Sequence, residues 1–320
     1  MIVAFAGGVG GAKLARGLAL VLPPVDLAVV VNTADDFDLY GLRICPDFDT
    51  VLYTLAGLAD PINGWGLAGD TSHTLDAIAR YGRDPWFRLG DRDVATHVLR
   101  TDRLRQGATL TETMAELAHA LGVDSRLLPM TDEPVATLVD TPTGRLAFQD
   151  YFVARRQTDD VLGVVFDGIE EARLPDGVAA AVAAAELVVL CPSNPIVSLG
   201  PILAVPGMRE ALAAAAAPIV AVSPIVGGRA LKGPADRMLA TLGHEVSAAG
   251  VAALYADLGG VVDALVIDDA DAPLAPRIEA LGLRTLVTPT VMGAAESRQR
   301  LADEVLAFGR RLLPAGSATR

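Results

Sequence analysis

The sequence predicts an α/β protein with a Rossmann-like, doubly wound and mostly parallel sheet and a helical insertion. The first 31 residues contain an apolar run, a glycine-rich turn, a helical pattern and a second apolar run, which is the order of a βαβ unit. The apolar runs lack polar alternation, as is typical of parallel strands buried on both faces. Apolar runs and helical patterns alternate again in the second half of the chain. We therefore predict a single α/β domain over residues 1–320.

The first unit supplies four elements. We predict a strand over residues 2–6, a glycine turn over 7–11, a helix over 12–22 and a second strand over 27–31. Pro23 and Pro24 mark the end of this helix, because proline lacks the N–H that a helix interior needs.

The middle of the chain is predicted to be helical. Residues 60–130 are polar, favour helices and contain no strand-like apolar run, so we assign them to the helical insertion. Helices are expected over residues 71–81, 93–103 and 109–121, and a β-hairpin over 137–147 with its turn at 141–144.

The second half returns to alternating strands and helices. Strands are expected over residues 161–166, 187–191, 219–222, 264–267 and 285–287. A final amphipathic helix is expected over residues 294–313, because apolar side chains recur there on one face, at Leu301, Val305, Phe308 and Leu312.

Composition limits the functional classes. Of the 320 residues 52% are hydrophobic, and 39 acidic residues exceed 26 basic ones, which gives a net charge of −13. The chain is too hydrophobic to be disordered and lacks the basic excess of a duplex-binding protein. Its longest apolar run, residues 211–222, contains Pro218 and is shorter than the roughly 20 residues that span a bilayer. The N-terminus lacks the basic segment of a signal peptide, so we expect a cytoplasmic protein that binds neither nucleic acid nor membrane.

The loop after the first strand, residues 7–13, is the first candidate binding site, because ligands of open α/β sheets bind at the carboxyl ends of the strands. It reads GGVGGAK. A dinucleotide fingerprint needs glycine in place of Lys13, and a P-loop needs different residues on both sides of that lysine. A tight turn is the alternative, but four glycines in five residues favour phosphate binding by backbone N–H groups at a helix N-terminus. The candidate contacts are Gly8, Gly10, Gly11 and Lys13.

Four carboxylates follow the second strand within 15 residues: Asp35, Asp36, Asp47 and Asp49. In a chain whose expected ligand is a phosphate, this grouping suggests a Mg²⁺ site. Asp47 or Asp49 could instead cap a helix that begins at Val51, but capping would explain one of the four carboxylates.

Three further loops contain candidate residues. In the loop at 88–93, charges alternate around a glycine, and a solvated loop explains it as well as a site does. The loop at 191–201 has three prolines and two serines and would suit a nucleotide clamp. The loop at 223–234 combines glycines with Lys232 and is a second candidate phosphate or nucleobase loop.

Eight segments together resemble one family, the 2-phospho-L-lactate transferases (CofD family) of deazaflavin coenzyme F420 biosynthesis. No single segment decides the resemblance, but the joint occurrence is specific, and it covers the chain from residue 3 to about residue 235. The segments are GGVGGAKLARGL, VVNTADD, ICPDFDTVLYTLAG, LGDRDVATHVLR, LLPMTDEPVAT, FQDYFVARR, CPSNPIVSLGPIL and SPIVGGRALKGPA.

The resemblance implies a Mg²⁺-dependent transferase. Its donor would be a three-carbon acid linked to guanosine diphosphate, carrying a phospholactyl, phosphoenolpyruvyl or phosphoglyceryl group. Its acceptor would be the deazaflavin Fo, whose terminal ribityl hydroxyl attacks the donor phosphorus and releases GMP. The family also implies a homodimer.

The resemblance also implies residue roles. Asp49 and Arg88 would contact the acceptor. Asp35 and Asp49 would hold the metal, with Asp36 or Asp47 as substitutes, and Asp36 or Asp49 would accept the hydroxyl proton. The insertion would cover the acceptor site, with Trp65, Trp86 and Phe87 against the flat ring. The nucleotide would be held by the glycine loop together with residues of the two later loops: Ser193, Asn194, Ser198, Gly228 and Lys232.

Two other classes remain as alternatives. A nucleotide-sugar-binding regulator of the same fold would share the glycine loop and the paired acids, but residues 37–40, 46–50 and 89–93 favour the transferase. A nicotinamide dehydrogenase is disfavoured because Lys13 replaces the third glycine of the dinucleotide fingerprint. Two adjacent acids, Asp35 and Asp36, also follow the second strand, where that class has one.

Overall fold

The computed structural model describes residues 1–257 and 260–313. The last residues of the predicted domain, 314–320, therefore lie outside the described residues. In chain order, the strands are β1 (Ile2–Ala6), β2 (Leu27–Val31), β3 (Phe37–Leu39), β4 (Leu42–Ile44), β5 (Arg126–Pro129), β6 (Ala136–Thr141), β7 (Gly144–Ala147), β8 (Gly163–Asp167), β9 (Leu187–Leu190), β10 (Ile219–Val222), β11 (Ile225–Val226), β12 (Arg229–Ala230), β13 (Ala264–Ile267) and β14 (Arg284–Val287).

The α-helices are α1 (Gly8–Val21), α2 (Pro46–Leu55), α3 (His73–Arg80), α4 (Asp91–Arg105), α5 (Leu110–Ala120), α6 (Asp176–Ala183), α7 (Leu199–Ala204), α8 (Met208–Ala214), α9 (Ala235–Thr241), α10 (Ala248–Asp257), α11 (Ala275–Glu279) and α12 (Ala295–Leu312). Short 3-10 turns lie at Pro24–Asp26 and Asp269–Leu274, and a π-helical turn lies at Asp150–Ala154. No helix in the described part of the chain is both long enough and apolar enough to cross a bilayer.

Seven strands form one parallel sheet in the order β14-β13-β10-β9-β1-β2-β5. This confirms the predicted doubly wound α/β fold. The chain extends the sheet from β1 through β2 to β5, and then from β9 in the opposite direction, so the topology switches between β1 and β9. A crevice at the carboxyl ends of these two strands is the usual ligand site of such sheets.

The sheet is buried on both faces, which explains the continuous apolar runs. All five residues of β1 and of β2 are buried. On one face Ala4 packs into a core with α1, α2, α5 and α12, and on the other Phe5 packs into a core with α6, α7, α8, α10 and α11. A parallel strand therefore needs no polar alternation.

Most predicted elements are confirmed within two residues at each end, including the strands at 2–6, 27–31, 187–191, 219–222, 264–267 and 285–287. The three insertion helices, the hairpin of β6 and β7, and the final helix are also confirmed. Leu301, Val305 and Phe308 are buried on the final helix, as its spacing predicts.

One expectation about strands was wrong. Residues 60–130 contain β5, which pairs in parallel with β2, and polar neighbours had hidden its short apolar run Leu127-Leu128. The strand near 161–166 does exist as β8, but it pairs antiparallel with β6 in a separate three-stranded sheet. The short hairpin of β3 and β4 was not expected.

Two helix starts were also misplaced. Helix α1 begins at Gly8, so the glycines that were expected to precede the helix form its first turns. Helix α2 begins at Pro46, because proline suits the first turn of a helix. Asp47 and Asp49 therefore lie inside its first turn, and neither caps a helix at Val51 as the capping alternative supposed.

Candidate functional site

A cavity of about 910 Å³ lies at the carboxyl ends of the central strands. It is lined by the glycine loop after β1, the first turns of α2, the loops after β9, β10 and β14, part of the insertion, and residues 148–157. The predicted site residues that line it are Gly8, Gly10, Lys13, Asp35, Asp49, Arg88, Ser193, Asn194, Ser198 and Lys232. Gly11, Asp36 and Gly228 are not among its lining residues.

The glycine loop is fastened to the loop after β9. Gly7 N–H donates to Ser193 Oγ at 3.0 Å, and Ser193 Oγ donates to the Gly7 carbonyl at 2.8 Å. A methyl group on Gly10 would overlap the Pro192 carbonyl oxygen, and one on Gly11 would overlap Ser193 Oγ. Glycine is needed here because the two loops touch, which leaves the helix N-terminus open to the cavity.

Two lysines, Lys13 and Lys232, line the cavity together with the glycine loop. Burial lowers the pKa of Lys13, and the nearby charges of Arg298 and Lys232 lower it further. Lys232 Nζ donates to the Asn63 carbonyl at 2.5 Å, which ties the loop after β10 to the start of the insertion. Two lysines beside a helix N-terminus are an arrangement that favours the binding of an anion.

Asp35 and Asp47 form a buried acidic pair. Asn32 Nδ2 donates to Asp47 Oδ2 at 2.9 Å. Burial raises the pKa of Asp35 well above its ordinary value, and the charge of Asp47 raises it further. Asp35 Oδ1 is buried without a hydrogen-bond partner in the described structure. Such a pair is costly unless a cation or a proton joins it.

Asp49 lies in a separate network with α4. Its Oδ1 accepts a hydrogen bond from Nη2 of Arg100, whose side chain is fully buried, and its Oδ2 lies 3.6 Å from His97 Nδ1. His97 Nε2 lies 3.3 Å from Asp93 Oδ1, which also accepts the Tyr53 hydroxyl at 2.6 Å. Tyr53, Asp93 and His97 line the cavity along with Asp49.

His97 lies between Arg100 and the carboxylates of Asp49 and Asp93. Arg100 Nη1 lies 3.2 Å from His97 Nδ1, and since a guanidinium can only donate, this contact is a hydrogen bond when Nδ1 is the acceptor. Asp49 Oδ2, which is buried, then receives no hydrogen bond from any described group. That oxygen is available to accept a proton or to bind a cation.

Burial sets the electrostatics of this network. Burial raises the pKa of Asp49, whereas the neighbouring Arg100 and His97 lower that pKa. Burial alone would lower the pKa of Arg100, but the Asp49 carboxylate raises it above its ordinary value. Asp49, Asp93 and His97 offer ligand atoms within 4.8 Å of one another, as a metal site would, but Arg100 already places a positive charge on Asp49.

Asp36 lies apart from the cavity. It faces a smaller pocket of about 180 Å³ with Arg43, whose Nη2 is 4.0 Å away. Burial raises the pKa of Asp36 to about 7. The structure therefore brings Asp49, and not Asp36, to the cavity. Gly228 lies in the tight turn between β11 and β12, whereas Lys232, from the same loop, lines the cavity.

The insertion presents an aromatic cluster to the cavity. The rings of Phe37, Trp86 and Phe87 pack with centroids 4.9–5.8 Å apart, and Trp86, Phe87 and Trp65 line the cavity. Arg88 lines it too and makes no ion pair with any described residue. An apolar face with a free guanidinium suits a flat ring that carries polar groups.

Sequence reasoning missed Asp93, His97 and Arg100 as a group. Their spacing of four and three residues places them on one face of α4, and that spacing was readable from the predicted helix over 93–103. Their partner Asp49 was not readable, because it comes from α2, about 50 positions earlier in the chain. Residues 148–156 belong to the segment FQDYFVARR of the family resemblance, which assigned them no role.

The fold and the site define a class: a Rossmann-like protein whose glycine loop and buried carboxylates line one cavity at the carboxyl ends of the sheet. A model of the family described as 2-phospho-L-lactate transferase CofD matches residues 2–281. The chain therefore belongs to the CofD family, a family of transferases.

Curated relatives agree over nearly the full length. A phosphoenolpyruvate transferase of Streptomyces griseus is 43% identical over 310 residues, which cover 95% of this chain and 97% of the relative. A 2-phospho-L-lactate transferase of Methanosarcina mazei is 39% identical over 305 residues, which cover 95% of this chain and 99% of the relative.

A solved structure shares the fold. It is a protein of the UPF0052 family from Bacillus halodurans, with a TM-score of 0.64 and 15% identity, covering 95% of this chain and 98% of that one. At this identity the likeness concerns the fold alone.

Proposed function

We propose that this protein transfers a phospho-three-carbon-acid group from a guanosine-diphosphate-linked donor to the terminal ribityl hydroxyl of the deazaflavin Fo and releases GMP. The observation that carries the proposal is that a glycine loop, buried carboxylates and an aromatic face line one cavity in a CofD-family chain. Relatives named phosphoenolpyruvate transferase and 2-phospho-L-lactate transferase support the class of donor.

The glycine loop and its neighbours would bind the donor nucleotide. N–H groups at the start of α1, with Lys13 and Lys232, would bind the diphosphate. Ser193 and Asn194 would define the other side of this site, with Ser198 behind them. Gly11 acts through the close approach of the two loops, since it does not line the cavity.

The acceptor would lie against the insertion. Trp65, Trp86 and Phe87 would cover the deazaflavin ring, Arg88 would bind its polar groups, and Asp49 would contact the ribityl chain. In the reaction the hydroxyl oxygen forms a bond to the phosphorus that carries the acid. The bond from that phosphorus to the GMP oxygen breaks, and its electron pair leaves with GMP. The hydroxyl proton passes to Asp49 Oδ2, which no described donor occupies.

The acidic residues fit a Mg²⁺ ion. Asp35 and Asp49 each have one buried carboxylate oxygen without a hydrogen-bond partner among the described residues, and carboxylate oxygens are preferred Mg²⁺ ligands. We assign the metal to Asp35, with Asp47 beside it, because the one free oxygen of Asp49 cannot both bind the ion and accept the hydroxyl proton, and Arg100 already places a positive charge on Asp49. The ion would supply positive charge to the phosphoryl oxygens. The homodimer and the cytoplasmic location belong to the same proposal.

A turnover assay tests the proposal. Purified protein is incubated with Fo, Mg²⁺ and the guanosine-diphosphate-linked lactate, enolpyruvate or glycerate in turn, and product mass and GMP are followed. We expect product with at least one donor, one GMP for each product, and loss of both with EDTA or with Asp49→Asn. The matched control is Asp140→Asn, a surface acid paired with Arg145. No product with any donor, together with tight binding of a nucleotide sugar, would favour the regulator.

A further inference from the structure

Residues 148–157, which we call the arginine segment, form a side of the cavity that the roles above leave unused. The rings of Phe148 and Phe152 stack with centroids 5.5 Å apart and planes 7° from parallel. Phe148 and Tyr151 are buried in a small core with Val197, from the loop after β9, and with α9. The segment is thus packed firmly against the predicted nucleotide site.

The backbone of this segment is unusual in two ways. A π-helical turn occupies Asp150–Ala154, and Arg156 and Gln157 follow with φ angles of 51°, in the left-handed region. π-helical turns are frequent at functional sites, and left-handed conformations of residues other than glycine persist only where the surroundings hold them. Here the Gln157 N–H donates to the Tyr151 carbonyl at 2.8 Å, and Tyr151 is buried.

This conformation gives two adjacent arginines different surroundings. Arg155 Nη1 bonds to Thr143 and lies 3.4 Å from Asp159, away from the cavity. Arg156 lines the cavity, and its guanidinium makes no hydrogen bond or ion pair with any residue of the described structure. Gln157 lines the cavity beside it. A free guanidinium next to an amide is suited to bind a planar anion.

We infer that Arg156 binds the carboxylate of the three-carbon acid on the donor, with Gln157 as a second hydrogen-bond donor. This inference rests on the proposed function. The donor has two kinds of anion, and the diphosphate already has Lys13, Lys232 and the α1 N-terminus. The carboxylate is a separate planar anion, which a guanidinium can bind through two parallel hydrogen bonds. The apolar side chains of Phe152 and Val153 line the cavity near it and would face the carbon atoms of the acid.

Binding measurements with two ligands test this assignment. The full-length protein is titrated by calorimetry with guanosine diphosphate and, separately, with guanosine-diphosphate-linked lactate and enolpyruvate. For Arg156→Gln we expect about 10- to 100-fold weaker binding of the acid-linked donors, the range that loss of a charged hydrogen-bond pair produces. Binding of guanosine diphosphate should stay within about twofold, because its phosphates do not use Arg156.

Two further variants make the test specific. Arg156→Lys should recover part of the affinity for the acid-linked donors, because it keeps the charge and loses the paired geometry. Arg155→Gln should bind both ligands as the wild type does, since Arg155 does not line the cavity. Circular dichroism and the thermal midpoint verify that each variant is folded.

The possible failures are distinguishable. Equal weakening of both ligands by Arg156→Gln would assign Arg156 to the diphosphate or to structure, and unchanged binding would leave it without a role, so either result overturns the inference. A wild type that binds guanosine diphosphate and the acid-linked donors equally would overturn it too. A wild type that binds neither would overturn the proposed function itself.

Discussion

Replacing Arg100 by methionine should destabilise the protein by about 3–5 kcal/mol, the range for removing one partner of a buried ion pair. The Arg100 guanidinium is fully buried and donates to Asp49 Oδ1, and Asp49 Oδ2 already lacks a donor. Methionine preserves most of the side-chain volume, so the loss reflects the charge. The loss of stability has an upper limit, because the isolated Asp49 carboxyl would take up a proton. Burial already raises the pKa of this carboxyl.

Urea unfolding at pH 7 measures this effect through the midpoint and the m-value. Asp49→Asn and the double variant Asp49→Asn/Arg100→Met complete a double-mutant cycle. The double variant should lose less stability than the two single variants combined, because it has no unpaired carboxylate. The matched control is Arg103→Gln on the same helix, which breaks a solvent-exposed pair with Glu116 and should change stability far less.

Unfolding of Arg100→Met at the same urea concentration as Arg103→Gln would show that Arg100 and Asp49 do not form a stabilising buried pair. Additive losses in the cycle would show the same, since additivity would mean that Asp49 and Arg100 do not interact. If Arg100→Met failed to fold, recovery of a folded double variant would still support the account.

Three other predictions concern the surroundings of the cavity. Burial raises the pKa of Asp268, but hydrogen bonds from Thr290 outweigh burial and lower the pKa below its ordinary value. Ionised Asp268 therefore stabilises the fold at neutral pH. This contribution is lost as the pH falls through the pKa that Asp268 has in the folded protein. Asp268→Asn should therefore cost about 2 kcal/mol at pH 7 and progressively less below pH 4 in denaturant unfolding. Trp86→Ala should weaken Fo binding about tenfold in an equilibrium titration, as expected for a lost stacking contact, whereas Tyr81→Ala, exposed and outside the cavity lining, should not. Gly10→Ala should weaken binding of guanosine diphosphate and lower stability by about 1–3 kcal/mol, because the methyl group forces the glycine loop away from the loop after β9.

Each of these has a contrary outcome. A pH-independent loss for Asp268→Asn would mean that its charge is not the stabilising feature. Equal effects of Trp86→Ala and Tyr81→Ala on Fo titration would place the ring elsewhere. Normal nucleotide binding by Gly10→Ala, with Gly163→Ala as control, would show that the two loops need not touch.

The central sheet was predictable because a strand that is buried on both faces is a continuous apolar run in the sequence. Residues 2–6 and 27–31 are continuous apolar runs with a glycine-rich turn and a helical pattern between them. β5 left no such trace, since only Leu127 and Leu128 are apolar between Arg126 and Pro129. The start of α2 was misjudged because Pro46 was not considered as a first helical residue.

Site residues that lie in the loops directly after strands could be predicted from the sequence. Contacts between elements that are distant in the chain could not. The glycine loop and Asp49 follow from strand ends and could be found in one pass along the chain. The separation of Asp36 from Asp35 could not, because it depends on which way two consecutive side chains of one turn point. The contact between Asp49 and Arg100 depends on how α4 packs against α2, and local sequence does not encode that packing.

The central claim is that donor and acceptor meet in one cavity with the acceptor hydroxyl at Asp49. A crystal structure of the protein with guanosine diphosphate, Mg²⁺ and Fo tests it most directly. We expect the diphosphate at the glycine loop, the deazaflavin ring against Trp86 and Phe87, and the terminal hydroxyl within hydrogen-bond distance of Asp49. Fo bound outside this cavity, or with its ribityl hydroxyl directed away from Asp49 and from the diphosphate, would contradict it.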